Sequence, residues 1–149
     1  MNKLLHCTCA AKMQDVAPLV LRLALGAVFA YHGYDKYLKG VEGVGGFLGS
    51  LGFPMAAAFA VALIAVELIG GIMMILGLFT HWVAKSFVIV SVVAFLTVHA
   101  SKGFAISGGG YEFIITLLAV SVSLMITGAG KYSLDYKFGT TCKVAGSEA

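Results

Sequence analysis

The chain has 149 residues, of which 60% are hydrophobic and only 11% are charged, whereas a soluble domain is about 45–50% apolar and about 25% charged. A soluble fold of this length cannot bury so much apolar side chain, so one domain whose outside is covered by lipid is expected. The formal charge of +3 is too small and too dispersed to argue for a nucleic-acid partner, and its use is topological.

The chain opens with a short polar tail carrying Cys7 and Cys9; the third cysteine, Cys142, lies in the tail at the other end. No signal peptide is expected, because no small-residue cleavage site follows the first apolar run. A transmembrane helix needs about 20 mostly apolar residues, and four segments qualify: Pro18 to Lys36, Pro54 to Leu78, Trp82 to Ala100 and Tyr111 to Thr127. The first two open with proline, where a missing N–H costs least. No alternating pattern recurs at the spacing of a membrane β-barrel. The expected fold is therefore an all-α membrane protein, a four-transmembrane-helix bundle.

The connections refine this. The turn from Gly77 to His81 is very short and makes spans two and three an antiparallel hairpin. Between spans one and two, Val41, Val44, Phe47, Leu48 and Leu51 share one helical face, which predicts a short amphipathic helix at the membrane surface. A plain glycine-rich loop is the alternative. Lys3, Lys12, Lys85, Lys131, Lys137 and Lys143 fall on the tails and the second loop, against Lys36, Lys39 and Lys102 on the other side. Positive charge favours the cytoplasm, so both termini are expected there. The cysteines would then lie in a reducing compartment, incidental or as a thiol pair for a soft metal or a redox partner.

Ionisable groups within a bilayer are costly and usually face the bundle interior. Arg22, His32 and Lys36 lie on span one, Glu67 on span two, Lys85 and His99 on span three, and Glu112 on span four. At about 1.5 Å per residue, His32, Lys36, His99 and Glu112 gather at the outer end, while Arg22 and Glu67 remain in the inner half, with Glu67 about 20 Å deep. Arg22 and Glu67 are thus expected as a structural ion pair. Arg22, Gly26, Phe29, Gly33 and Lys36 form one stripe, whose glycines let another helix approach closely. Each group also has a plainer role: Lys36 and Lys85 can snorkel, the histidines can be satisfied interior residues, and Glu112 can serve the helix dipole.

Three chemistries fit the outer cluster. Two histidines could ligate haem, although no Cys-x-x-Cys-His is present and no protein metal site is expected. A quinone pocket needs an apolar slot with a donor at each carbonyl and a proton-handling carboxylate. His32, Lys36, His99 and Glu112 supply these groups, with Phe29, Phe104 and Tyr111 as walls. A small-anion site would use His32, Lys36 and the amides that open span four.

The order Arg22…Gly26…Phe29…His32-Gly33…Lys36, then Phe47…Gly52-Phe53-Pro54, Glu67…Gly70-Gly71…Leu76-Gly77-Leu78…Thr80, His99…Gly103-Phe104, Gly109-Gly110-Tyr111-Glu112 and Gly128…Gly130…Ser133-Leu134-Asp135 resembles the DoxX family. The likeness runs over about residues 18–136, leaving short polar tails at 1–16 and 137–149. It implies a four-helix protein of the bacterial inner membrane. Related DoxD-type proteins are a subunit of thiosulfate:quinone oxidoreductase, and another relative belongs with a membrane oxidoreductase complex for thiol and superoxide stress. By family pattern, Arg22, His32, Lys36, Glu67, His99 and Glu112 are the matching polar positions.

The leading expectation is a redox-linked, quinone-interacting subunit that works with a soluble or peripheral redox partner protein. In it, His32 and His99 hold the quinone carbonyls and Glu112 moves protons. The alternatives are a transporter subunit for a small molecule or anion, acting as a homo-oligomer, and a non-catalytic assembly or scaffold protein.

Overall fold

The computed structural model describes residues 15–139, so Cys7, Cys9 and Cys142 lie outside the described residues. Those residues form helices and no strand. Helix α1 is Val16–Ser50, α2 is Ala56–Leu76, α3 is Thr80–Ala94, α4 is Glu112–Thr127 and α5 is the single turn Leu134–Lys137. Three stretches are long and apolar enough to cross a membrane: Val16–Ser50, Ala56–Leu76 and Thr80–Lys102. The protein is membrane-embedded. At 16 residues α4 is about 24 Å long, shorter than a hydrocarbon core of about 30 Å.

Small residues bring α1 and α2 together. A Cβ at Gly33 would stand 2.3 Å from the Leu68 amide nitrogen, and one at Gly71 would stand 2.4 Å from that of Ala30. No side chain fits between backbones this close, so the two helices pack along a fixed antiparallel register. The first core cluster fills the middle of the bundle. Leu25, Phe29, Met74, Phe87, Leu117 and Leu124 are all buried there, and the Phe29 and Phe87 rings stack with centroids 3.7 Å apart.

Residues 41–50 continue the helix of α1 beyond one break at Gly40, whose φ of 72° suits glycine. Val44 and Leu48 turn onto Ala60 and Ile64 of α2 as a second core cluster, while Val41 and Phe47 stay exposed. The third span departs most from the sequence expectation. After Ala94 the helix widens into a π-turn, Phe95–His99, and then tightens into the 3-10 turn Ala100–Lys102.

The end of the bundle that holds the start of α1 is closed by charge. Helix α2 stops at Gly77 (φ 68°), with Leu78 N–H donating to Met73 O and Gly77 N–H to Met74 O, a Schellman stop. The next helix starts almost at once, and the amides of Phe79 and Thr80 donate to the Asp135 carboxylate at 2.7 and 2.8 Å. A carboxylate at the positive end of a helix dipole is the favoured cap. Asp135 N–H returns a bond to Gly77 O at 2.9 Å.

Arg22 packs against this corner. Its Nη1 lies so near Gly77 that a Cβ there would stand 1.5 Å away, and its Nη2 donates to Tyr132 O at 2.5 Å. The carboxylate charge acting on it is that of Asp135. The expected Arg22–Glu67 pair is therefore corrected. Arg22 lies level with Gly77, while Glu67 lies level with Gly33; the two stand about ten residues, or about 15 Å, apart along α2. At the surface of the same end, Lys131 pairs with Asp15 at 2.9 Å, and that hydrogen bond holds its ammonium protonated above the usual lysine range.

Two outcomes follow for purified protein in detergent. Asp135→Ala removes two amide acceptors and the counter-charge of a buried arginine together, so it should lower stability by about 3–5 kcal/mol in thermal unfolding. An unchanged midpoint would contradict the cap. Gly71→Leu should prevent folded, monodisperse protein from being recovered, whereas Gly46→Ala, with nothing within 4 Å of the added Cβ, should leave recovery and midpoint intact.

Candidate functional site

The opposite end of the bundle holds the remaining interior charges. Lys36 lies near the end of the straight part of α1, and Glu67 lies one face across on α2. Lys36 Nζ donates to Glu67 Oε2 at 2.5 Å. The carboxylate side chain is 6% exposed and the ammonium side chain 26%, so the pair is reached from the lysine side. The register set by Gly33 against Leu68 brings these two residues level.

The π-turn places His99. Its Nδ1 lies 2.6 Å from Gly109 O in the loop before α4. A carbonyl only accepts, so Nδ1 carries the proton; in the neutral ring Nε2 is then a free acceptor, and in the imidazolium it is a donor. The loop itself is folded back tightly. The amides of Gly110, Tyr111 and Glu112 donate to the carbonyls of Ala105, Gly103 and Phe104. Gly110 is required here, since a Cβ would stand 2.3 Å from Gly103 O. Glu112 Oε1 accepts from Ile106 N–H at 2.9 Å and fastens the turn from the helix side.

These elements enclose a cavity of about 220 Å³. His32, Lys36, Glu67 and His99 line it as the polar groups, and Phe29 and Phe113 are among its apolar walls. The His32 ring lies against Phe113 with centroids 6.4 Å apart. The backbone of Gly109 and Gly110 closes the loop side. A compact head with hydrogen-bonding oxygens would meet imidazoles, an ammonium and a carboxylate in an otherwise apolar box, which suits proton exchange with a carbonyl or hydroxyl.

Of the residues singled out from sequence, His32, Lys36, His99 and Phe29 meet at this cavity. Glu112, Phe104 and Tyr111 do not line it. Glu112 secures the loop, and the Phe104 and Tyr111 rings pack edge to face at 5.6 Å, with Tyr111 also on Phe95 at 5.4 Å. Phe104 is nonetheless 62% exposed, and its carbonyl accepts from the Glu112 amide. Glu67, assigned from sequence to the deeper layer, joins the cluster instead. Phe113 and Leu117 were missed, and their one signal is spacing: they share a face of α4 one turn apart. Arg22 lies at the other end of the bundle, with Leu25, Phe29, Met74 and Phe87 of the core between.

The DoxX family model matches residues 17–100, which includes Arg22, His32, Lys36, Glu67 and His99. A Bacillus subtilis protein named "Putative oxidoreductase CatD" is 36% identical over 124 residues, 83% of this chain and 88% of that protein. An uncharacterized protein of Haemophilus influenzae is 33% identical over 122 residues, 79% of this chain and 87% of its own length. No solved structure matches the chain. With the family model covering more than half of the sequence and the Bacillus relative aligned along most of both chains, the chain belongs to the DoxX family of membrane proteins.

Proposed function

We propose that this protein is a single-domain, four-span subunit of a quinone-linked oxidoreductase in a bacterial inner membrane. Both termini lie in the cytoplasm, α4 is the fourth span, and the 41–50 segment rests at the outer surface. The observation that carries the reading is the convergence of His32, Lys36, Glu67 and His99 on one small, otherwise apolar cavity. The name of the Bacillus subtilis relative points the same way.

Reduction of a quinone to a quinol takes up two electrons, here from a soluble or peripheral partner protein, and two protons. His32 and His99 hold the two oxygens. With Nδ1–H committed to Gly109 O, His99 in its imidazolium form donates from Nε2 to a carbonyl oxygen and is left neutral after proton transfer. Glu67 takes the proton-handling role that sequence spacing assigned to Glu112, since Glu67 lines the cavity and Glu112 is engaged by the loop. Lys36 balances the Glu67 charge.

The small-anion transport alternative is less well supported. The charge of Lys36 is compensated by Glu67, and between this cavity and Arg22 the core is mainly apolar, with the buried Ser91 and Ser121 hydroxyls as the polar exceptions.

Isothermal titration of the purified protein in lipid nanodiscs with a short-tailed benzoquinone tests the reading. Saturable binding is expected. Loss of one charge-assisted hydrogen bond costs about 1.5–3 kcal/mol, so changing both His32 and His99 to Ala should weaken binding by at least about tenfold. Absence of saturable binding to the unaltered protein, together with no quinone in its solvent extract, would overturn it.

A further inference from the structure

The polar cavity adjoins a second and larger one, of about 430 Å³. Lys36, Glu67, Val90, Ala94 and His99 line both, so the ion pair and the π-turn histidine stand at their junction. Away from that junction the larger chamber is apolar except for Thr97, whose hydroxyl donates to Val93 O. Phe47, Leu48 and Phe53 close it from the segment after Gly40, Leu63 and Val66 from α2, and Val93 from α3. Its rim residues Phe47, Phe59, Ile89 and Val93 are exposed on the outer face of the helices. The chamber therefore opens sideways, between α2 and α3, onto the apolar surface that lipid covers.

An apolar chamber open to lipid adds little affinity, because an alkyl or prenyl chain is as well accommodated by lipid as by the protein. Its use is geometric. A molecule dissolved in the bilayer can pass its head through the chamber to the polar groups and leave its chain behind in the opening. The order of surfaces along this path, from lipid-facing aromatics to aliphatic walls to the Lys36–Glu67 pair and then the two histidines, matches a long apolar tail ending in a compact polar ring.

We propose that the larger chamber is a lateral port for a membrane-soluble, tailed quinone: the ring passes the Lys36–Glu67 junction into the polar cavity, and the tail occupies the chamber between α2, α3 and the 41–50 segment. This rests on the quinone reading and adds the route and the location of the tail. The 41–50 segment thereby has a role, since packing Val44 and Leu48 onto α2 holds Phe47 over the mouth.

The test uses a benzoquinone whose isoprenoid-like tail carries a diazirine at mid-length, added to the full chain in nanodiscs and photolysed, with the labelled peptides mapped by mass spectrometry. Labelling concentrated on peptides containing Phe47–Phe53, Leu63 and Val93, and suppressed by excess non-photoreactive tailed quinone, is the expected result. Val93→Trp fills the chamber from its exposed rim and should cut this labelling by about tenfold, and it should weaken binding of the tailed quinone more than that of a tail-less benzoquinone; equal effects on the two would overturn the assignment of the tail to the chamber. Labelling spread evenly over the outer faces of all helices, with tail-less binding intact, would overturn the port and leave the quinone reading standing. Labelling of the chamber by a photoactivatable phospholipid that excess tailed quinone does not displace would assign the space to a lipid chain and likewise overturn the port. If neither tailed nor tail-less quinone binds saturably, the quinone reading fails and the port fails with it.

Discussion

The close contact of α1 with α2 through Gly33 and Gly71 sets the rest of the molecule. With backbone against backbone and no room for a Cβ, the two helices cannot slide past one another without collision. Both charged ends follow from that single register. It brings Lys36 level with Glu67, and it brings Arg22 level with the turn at Gly77. A shift of one turn, about 5.4 Å, would break the first pair and drive the arginine into a helix backbone. In a membrane, where lipid competes as well as protein for apolar contacts, such steric fit and paired charge are what remain to specify an arrangement.

The bundle is divided by a largely apolar middle. Phe29 stacked on Phe87, with Leu25, Met74 and Leu124 around them, separates a structural charge cluster from the cavity cluster. The two are built differently. At the Asp135 corner the carboxylate is fully engaged by helix amides and lies beside a buried guanidinium, so it fixes shape. At the cavity the carboxylate is paired with the partly exposed ammonium of Lys36, next to open space and two imidazoles, so the groups are placed where proton and charge could be redistributed.

Much of this was legible in the amino-acid sequence. The stripe Arg22, Gly26, Phe29, Gly33, Lys36 has helical spacing, and its first four residues are buried against α2 and the core. Hydropathy located the long helices to within a few residues. What failed was depth. Counting 1.5 Å per residue from the nominal ends put Glu67 with Arg22, because the straight part of α1 runs on to a break at Gly40 and α2 begins only after Met55 (φ 51°), two backbone breaks that hydropathy does not register. Glu112 was placed at the correct end, yet its side chain is used by a backbone amide of the loop, a local bond with no signature in charge or spacing. The π-turn that carries His99 was equally invisible: a regular helix and one widened by a residue read alike over so short a stretch. The resemblance did better than spacing at the far corner, where Gly77, Thr80 and Asp135 prove to be parts of one cap.

The Asp135 cap also bears on the order in which the molecule can be completed. Ribosomes deliver chains from the N-terminus, and early segments begin to fold first. The hairpin of α2 and α3 can form once residue 94 has emerged, but the amides of Phe79 and Thr80 receive their carboxylate only after about forty further residues, α4 included, have been synthesised. Until then, Arg22 lacks the negative charge beside which it finally rests. The helical turn Leu134–Lys137 thus acts as a latch on the α2–α3 hairpin. A nascent chain halted before Ser133 would present cellular quality control with an assembled set of helices whose most deeply buried charge has nothing to oppose it.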